Sequence, residues 1–186
     1  DTEIILNSYK RWGKKCTKRM IGVFSFVIWD KKEEKIFCAR DYIGIKPLYY
    51  HINENERIII SSEIKPIIKL DGVPKTLNEY RVADQLGYFD EDKKNTYFKG
   101  IKRLPPAHTI VVNSDRTQLN KYWSFNPERE IRFASEEEYV ERFRHIFKNA
   151  VSSRMRSTTP TGSMLSGGLD SSAIACTAGL LSEDSD

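Results

Sequence analysis

The residues with the clearest chemical potential form one short run late in the chain: Leu165, Ser166, Gly167, Gly168, Leu169, Asp170, Ser171 and Ser172. A short apolar approach, a loop of small residues and a stretch of helix formers predict a strand, a loop and a helix. Glycines let backbone amides approach an oxyanion, and the first turn of a helix adds unpaired N–H groups and a partial positive charge. The run therefore predicts a phosphate-binding loop, to which the three serines can add hydroxyl donors.

A phosphate site that includes Asp170 requires a cation, because the Asp170 carboxylate would repel a bare phosphate. Mg²⁺ bridging carboxylate and phosphate oxygens removes that repulsion. The run also lacks the lysine and the spacing of a Walker A motif. Together these features favour release of pyrophosphate from ATP. The alternative is an ordinary glycine turn whose following helix is capped by Asp170 or by a serine.

Most elements ahead of the loop are predicted to be antiparallel strands. Residues 2–16 have helical spacing, with Asp1 or Thr2 as N-cap and Gly13 near the far end. The run 22–29 is apolar on both faces of a two-residue period, which predicts a strand buried on both sides. A return strand is predicted at 36–40 and a helix at 78–89. One further strand pair, 47–52 with 57–62, is predicted around a turn at 53–56. Another, 108–113 with 118–123, is predicted around a turn at 114–116.

The pattern changes after Asn126 and Pro127. Ser135 and Glu138 form a capping box at the start of a helix. The apolar stripe of that helix consists of Tyr139, Phe143, Ile146, Phe147, Ala150 and Val151. We therefore place a domain boundary at about residues 125–134 and assign residues 1–128 and 129–186 to two domains.

Composition excludes several classes of protein. The 186 residues are 39% apolar, with 30 basic and 26 acidic side chains interspersed, which predicts a soluble globular chain without a nucleic-acid-binding face. The sequence holds no apolar run of about 20 residues, so we expect no membrane span. Three separate cysteines, Cys16, Cys38 and Cys176, favour a reducing cytoplasmic compartment over a disulfide framework. Because the sequence opens without methionine, we expect an internal piece of a longer protein.

Residues 166–172 resemble the pyrophosphate loop of the ATP-pyrophosphatase enzymes, and residues 165–172 together are similar to the loop of glutamine-dependent asparagine synthetases. The rest of the chain agrees with this resemblance in order. Residues 22–30, 39–50 and 61–65 are similar to successive segments of that family's glutaminase domain. Residues 104–108 and the pair Tyr122 and Trp123 are similar to its link toward the synthetase domain.

The resemblance implies a fold of class α+β to α/β. Residues 1–128 would be the C-terminal part of a glutaminase domain, a partial N-terminal-nucleophile hydrolase αββα sandwich with antiparallel sheets. Residues 129–186 would begin a Rossmann-like parallel ATP-pyrophosphatase domain with its first strand, loop and helix.

The resemblance also implies a coupled reaction on glutamine, aspartate and ATP, with Mg²⁺. An N-terminal cysteine releases ammonia from glutamine, the side-chain carboxylate of aspartate is adenylated, and ammonia displaces AMP to give asparagine. On the matching positions, Asp1 holds the α-amino group of glutamine, residues 165–172 bind ATP and pyrophosphate, and Asp170 is the Mg²⁺ ligand. Without the resemblance, Asp1 is interpreted as a helix N-cap.

Departures from the family leave other functions open. Cys16 and Cys38 fall in helix and strand patterns and cannot replace an N-terminal nucleophile, so we expect these 186 residues alone to be inactive. Residues 157–162 differ from the family's usual Asp-Val-Pro-Val-Gly. The alternatives are an adenylating amide-forming cyclase of the β-lactam or lasso-peptide type, without glutaminase activity, and a non-catalytic interaction module.

Two further features have no assigned catalytic role. Arg40, Asp41 and Lys46 are predicted to form an ion-paired structural turn. The oligomeric state is not readable from the sequence, and a homodimer of the full-length protein is compatible with it.

Overall fold

The chain forms two compact units, Asp1–Asn126 and Pro127–Asp186. The computed structural model describes residues 1–53, 57–89, 91–114 and 116–183. The described helices are α1 (Thr2–Trp12), α2 (Ile64–Ile68), α3 (Glu79–Leu86), α4 (Glu136–Met155) and α5 (Leu169–Glu183), with a 3-10 helix at Gly13–Arg19. The described strands are β1 (Ser25–Asp30), β2 (Lys35–Arg40), β3 (Tyr49–Ile52), β4 (Ile58–Ser61), β5 (Ile101–Arg103), β6 (His108–Val112) and β7 (Thr117–Lys121).

The strands of the first unit form two antiparallel sheets. Sheet A has the order β1-β2-β6-β7, and sheet B has the order β4-β3-β5. The three predicted strand pairs are confirmed; in the first, Val27 lies opposite Cys38. Residues 54–56 and 115, which belong to the two predicted turns, lie outside the described residues.

Three hydrophobic clusters separate four layers in this unit. Ile5, Tyr9 and Trp12 pack with the 3-10 helix region against one face of sheet A. The other face of sheet A packs on sheet B through side chains such as Cys38 and Tyr50. Beyond sheet B, a third cluster includes α2, β5 and parts of β3 and β4. The order is helix, sheet, sheet, helix, and the prediction of antiparallel sheets flanked by helices is confirmed.

Strand β1 is less buried than predicted. Phe26 and Ile28 face the core beneath α1, but Val27 is 47% exposed and Trp29 is 55% exposed. The prediction of a strand buried on both sides is therefore wrong. The physical reason is that β1 is the edge strand of a four-stranded sheet and that the facing sheet has three strands, so the second face of β1 is left partly uncovered.

In the second unit, the predicted capping box is present at the start of α4. Ser135 Oγ accepts a hydrogen bond from the Glu138 amide at 3.4 Å. The Glu138 carboxylate accepts one in return from the Ala134 amide at 3.1 Å, one residue before the expected donor. Along the predicted apolar stripe, Val151 is buried, whereas Tyr139, Phe143 and Ile146 are exposed.

The strand predicted immediately before the phosphate loop does not form in the structure. Residues 160–166 are outside any regular element, and α5 begins at Leu169. A β-strand needs a hydrogen-bonding neighbour, and the described residues of this unit contain two helices and no strand that could supply one. Among the described helices, none is both long and apolar enough to span a membrane.

Candidate functional site

The predicted phosphate loop is an exposed turn that leads directly into α5. Gly167 has a φ of 82°, in the left-handed region that glycine adopts without a Cβ clash. Asp170, Ser171 and Ser172 lie in the first turn of α5, and the Ser172 amide donates to the Gly168 carbonyl at 3.1 Å. The first-turn amides of this helix therefore lie immediately beside the two glycines.

Two serine hydroxyls stabilise this loop through hydrogen bonds within it. Ser166 Oγ and Ser171 Oγ are 2.9 Å apart, and Ser171 Oγ donates to the Gly168 carbonyl at 3.1 Å. The amides of Ser166 and Gly168 donate to these hydroxyls at 3.3 and 3.4 Å. Two of the three hydroxyls predicted as phosphate donors thus already hold the shape of the loop, whereas first-turn amides of a helix have no intrahelical partner and remain available as donors.

Asp170 is an exposed carboxylate in the first turn of α5. The helix dipole stabilises a negative charge at this position. The described residues contain no group of three or more His, Cys, Asp or Glu side chains able to hold a metal ion. Mg²⁺ in nucleotide sites is commonly held by one or two carboxylates together with substrate phosphates. Asp170 could supply one such carboxylate ligand.

Asp1 precedes α1, and its side chain is exposed. Its carbonyl accepts the Ile5 amide at 3.1 Å, as an N-cap carbonyl does. Among the described residues, its carboxylate makes no capping hydrogen bond. Capping therefore does not occupy this carboxylate, which stays accessible to a cationic group.

Helix α1 carries Asp1 and is fixed to sheet A through Tyr9. The Tyr9 hydroxyl donates to Asp30 Oδ2 at 3.0 Å, and the Tyr9 ring stacks on Phe37 with a centroid distance of 5.3 Å. These contacts fix the C-terminal half of α1 on the sheet, at the end of the helix away from Asp1.

Two of the three cysteines are unreactive by their surroundings. Cys16 and Cys38 are buried, and Cys176 is exposed. Burial raises the pKa of Cys38 to about 12 and also raises the pKa of Cys16. Because the thiolate is the nucleophilic form, neither buried cysteine can serve as a nucleophile at neutral pH. This supports the interpretation that they do not replace an N-terminal cysteine.

The turn at residues 40–46 is built around two buried charged side chains. Asp41 accepts three main-chain hydrogen bonds, from the amides of Gly44, Ile45 and Lys46, at 2.7, 2.9 and 2.9 Å. Arg40 donates to the carbonyls of Lys46 and Leu104, both at 2.7 Å, and to the carbonyl of Gly44. The prediction of a structural turn is confirmed, but main-chain hydrogen bonds take the place of the expected ion pair.

This turn joins segments that are distant in sequence. The Tyr122 hydroxyl donates to the Arg40 carbonyl at 2.6 Å. The Arg40 guanidinium is itself buried in this turn, and burial lowers its pKa. Gly44 has a φ of 74°, and a Cβ there would lie 2.8 Å from the Pro106 ring. The sequence signal was the adjacent opposite charges followed by a glycine, but nothing local indicated the partners Leu104 and Tyr122.

An apolar cavity of about 450 Å³ lies beside this turn and was not predicted from the sequence. Tyr42 and Trp123 meet edge to face at its wall, with ring centroids 5.3 Å apart. Its lining also includes the apolar Pro105, Pro106 and Phe125 and the polar Lys93, His108, Lys121 and Ser124. The arrangement is a preformed apolar concavity next to a rigid turn.

Two family models match this chain in succession. Residues 1–123 match the model described as a glutamine amidotransferase domain. Residues 142–185 match the model described as asparagine synthase. The second match contains the loop at 165–172.

Curated relatives match nearly all of the chain. It is 35% identical to glutamine-hydrolyzing asparagine synthetase 3 of Bacillus subtilis, over 96% of this chain and 29% of that protein. It is 34% identical to a putative glutamine-hydrolyzing asparagine synthetase 2 of Methanocaldococcus jannaschii, over 94% of this chain and 34% of that protein. It is also 31% identical to the amidase chry2 of Gibberella zeae, over 94% of this chain and 26% of that protein. The chain thus spans about a third or less of the length of these relatives.

Proposed function

The chain belongs to the family of glutamine amidotransferase domains, and from this premise we propose that it is part of a glutamine-hydrolysing asparagine synthetase. The observation that carries the proposal is the order of the two matches, an amidotransferase region at 1–123 followed by an asparagine synthase region at 142–185. The proposed reaction of the whole protein converts aspartate, glutamine, ATP and water to asparagine, glutamate, AMP and pyrophosphate.

We assign residues 1–128 to the C-terminal part of the glutaminase domain and residues 129–186 to the start of the synthetase domain. The two compact units, divided between Asn126 and Pro127, support this assignment. The helix-sheet-sheet-helix order of the first unit supports an N-terminal-nucleophile type of fold. In the second unit, residues 160–166 would become a parallel strand when a neighbouring strand is available to them, as in a Rossmann-like sheet.

The proposed role of residues 165–172 is to hold the phosphates of ATP. Gly167 and Gly168 allow close approach, the first-turn amides of α5 donate to phosphate oxygens, and Ser166 with Ser171 keeps the loop in shape. Asp170 would hold Mg²⁺, which offsets the negative charge of the phosphates. A carboxylate is a poor electrophile and AMP is a good leaving group, so activation by ATP makes the aspartate side chain reactive toward ammonia.

The proposed role of Asp1 is to bind the α-amino group of glutamine. An exposed carboxylate that makes no capping hydrogen bond among the described residues suits an ammonium group, and a charge-assisted hydrogen bond is stronger than a neutral one. Helix α1, held on sheet A by Tyr9, would keep this carboxylate in a fixed position.

A cytoplasmic location follows from the proposed role in amino-acid biosynthesis and is part of the same proposal. The two buried cysteines are free thiols, which supports a reducing compartment.

A second candidate function is amide formation or cleavage on a different acid. Two relatives at 31% and 32% identity are named amidases, chry2 of Gibberella zeae and chyE of Penicillium rubens. Proteins that are similar to this chain over most of its length therefore have more than one named activity. The cyclase without glutaminase activity belongs to the same group of alternatives.

The experiment that tests the proposal is product analysis with the full-length protein that contains these residues. Purified protein is supplied with ATP, Mg²⁺, glutamine and aspartate, and asparagine, AMP and pyrophosphate are quantified. We expect asparagine and pyrophosphate in equal amounts, with both absent when aspartate is omitted. Pyrophosphate release that depends on another acid, or glutamine hydrolysis with no ATP consumption, would contradict the proposal.

A further inference from the structure

The positive charge of the chain is concentrated at residues 10–19, which we call the basic segment. Residues 4–29 contain no acidic side chain, so no carboxylate of this stretch neutralises the basic ones. Outside the basic segment, the basic side chains are outnumbered by the 26 acidic ones. The net positive charge of the chain therefore comes from this segment, whose six cations are all exposed: Lys10, Arg11, Lys14, Lys15, Lys18 and Arg19.

The fold holds the basic segment in one conformation. The segment spans the last turn of α1 and the 3-10 helix that follows it. Cys16 and Thr17 are fully buried, and the Tyr42 hydroxyl donates to the Thr17 carbonyl at 3.0 Å. A partner that binds the six cations therefore does not have to order this backbone, which lowers the entropic cost of binding.

Contacts within the chain account for only part of this charge. Lys10 and Arg11 lie in the last turn of α1, where the helix dipole stabilises cations. The guanidinium carbons of Arg11 and Arg19 lie over the Trp12 ring, 5.2 and 5.0 Å from its centroid, as in cation–π contacts. Among the residues that the structure describes, none of the six cations forms an ion pair.

Lys14, Lys15 and Lys18 add a repulsion that these contacts do not offset. Like charges three or four residues apart on a helical segment destabilise it, and Lys18 follows the other two lysines at those spacings. A bound anion would remove this repulsion. A preformed cluster of uncompensated cations is typical of a surface that meets negative charge.

The border of the basic segment indicates what kind of anion fits. Lys10 lines a cavity of about 470 Å³ whose wall also contains Leu6, Trp29, Asp30 and Glu33. The two carboxylates at this border would repel the continuous phosphate backbone of a nucleic acid. A short acidic polypeptide can avoid them, and the apolar side chains beside the cations suit a polypeptide.

Nucleic acids and membranes match the basic segment less well for two further reasons. The Trp12 ring is covered by two guanidinium groups, whereas single-stranded nucleic acids stack their bases on open aromatic rings. The apolar side of α1 packs on sheet A through Ile5, Tyr9 and Trp12, so it is not available to insert among lipids. The carboxylates of a polypeptide are therefore the best match.

We propose that the basic segment is a docking surface for an acidic segment of another protein. Its arginines and lysines pair with Asp and Glu carboxylates of the partner, and a guanidinium can bind a carboxylate through two parallel hydrogen bonds. Because the six cations are exposed, this contact weakens as salt screens the charges. The proposal does not depend on the reaction that the protein catalyses.

Fluorescence anisotropy with the full-length protein that contains these residues tests the proposal. The probe is a fluorescently labelled peptide of about ten glutamates, for which we expect a dissociation constant on the order of 100 µM or lower at low salt. Raising NaCl from about 50 mM to about 500 mM should weaken binding roughly tenfold or more.

Charge reversal shows whether the basic segment is the surface that binds. Lys14→Glu with Lys15→Glu should weaken peptide binding about tenfold or more, because like charges then face the peptide. The matched control, Lys69→Glu with Lys75→Glu, makes the same change in net charge at two exposed lysines near α2, beyond sheet B. It should change the dissociation constant by less than about twofold.

Urea unfolding separates this role from a structural one. Because repulsion is relieved, the free energy of unfolding of Lys14→Glu with Lys15→Glu should be no lower than that of the wild type. If that variant fails to fold, Lys14→Gln with Lys15→Gln removes the charges alone and should weaken binding by a smaller factor.

Several results would overturn the proposal. One is the absence of peptide binding at low salt, and another is an equal loss of binding in the control variant. Tighter binding to duplex RNA or to vesicles rich in phosphatidylserine than to the peptide would also overturn it, because the basic segment would then meet phosphates rather than carboxylates.

Discussion

At the scale of single residues, Arg40 and Asp41 show how burial and hydrogen bonding decide what a charge does. Asp41 is 1% exposed and accepts three main-chain amides, so its charge is used to hold residues 41–46 in one conformation. Asp170, by contrast, is exposed at a helix start, where a ligand can reach it. The two aspartates therefore have different proposed roles, one structural and one in binding.

The substitution Asp41→Asn should destabilise the first unit. The new side chain has the same size, but its NH₂ group would face main-chain donors, and a buried charge-assisted set of hydrogen bonds would be lost. We expect the free energy of unfolding, measured with urea, to fall by about 2–3 kcal/mol. The control Asp71→Asn changes an exposed aspartate and should alter it by less than about 0.5 kcal/mol. Equal effects of the two substitutions would contradict the structural role of Asp41.

Thiol reactivity should separate the three cysteines. Cys38, whose pKa is raised to about 12 by burial, and the buried Cys16 should resist a thiol reagent at pH 8, whereas the exposed Cys176 should react. We expect one thiol to be titrated in the native chain and three in denaturant, with Cys176→Ser reducing the native value to zero. Rapid native labelling of Cys38 would show that the core between the sheets opens readily.

At the scale of elements, local signals predicted what local interactions determine. Gly13 ends α1, Ser135 caps α4, and the two runs at β1 and β2 pair as expected. The predictions are wrong where contacts between residues distant in the sequence determine the structure. Residues 160–166 form no strand because a neighbour is needed, and the second face of β1 is exposed because sheet B is narrow.

The interactions that hold elements together were also beyond sequence reasoning. The Arg40 guanidinium donates to the Leu104 carbonyl, 64 residues away. The Arg40 carbonyl accepts a hydrogen bond from the Tyr122 hydroxyl, 82 residues away. The outward apolar side of α3 depends on the buried Arg81. Sequence periodicity identifies that a helix is amphipathic, but it does not identify which side the rest of the fold covers. The loop and helix at residues 165–183 could be predicted because their signals are local.

The hydrogen bond between α1 and β1 should appear in the pH dependence of stability. The Tyr9 hydroxyl lowers the pKa of Asp30 below its ordinary value of 3.8, so the stabilisation is present above that value and is lost as pH falls through the lower folded-state pKa. The free energy of unfolding of Tyr9→Phe should therefore be lower than that of the wild type at pH 6. This difference in free energy should become smaller below about pH 4. Urea unfolding at several pH values measures this.

A control for that measurement is Tyr80→Phe, which removes an exposed hydroxyl from α3. It should leave the free energy of unfolding unchanged at every pH. A difference between Tyr9→Phe and the wild type that stays constant from pH 6 to pH 3 would contradict the assigned link between Tyr9 and Asp30.

At the scale of the whole molecule, the chain joins two units that match two different family models. The first unit carries Asp1 on a helix fixed to a sheet, and the second carries the loop at 165–172 at the start of a helix. In the proposed protein these features serve glutamine binding and ATP binding respectively. A change confined to the loop should therefore affect one activity and spare the other.

The most direct test of this account is the substitution Asp170→Asn in the full-length protein, with ATP-dependent asparagine formation and glutamine hydrolysis measured in parallel. The substitution keeps the size of the side chain and removes the charge proposed to hold Mg²⁺ as pyrophosphate departs. Loss of one such contact typically costs about 3 kcal/mol, or ~10² to 10³ in rate. Glu136→Gln, an exposed first-turn carboxylate of α4, is the matched control and should leave both activities unchanged. Asparagine formation by Asp170→Asn should fall by that factor while glutamine hydrolysis continues; asparagine formation within about twofold of the wild type would contradict the proposed role of Asp170 in holding Mg²⁺.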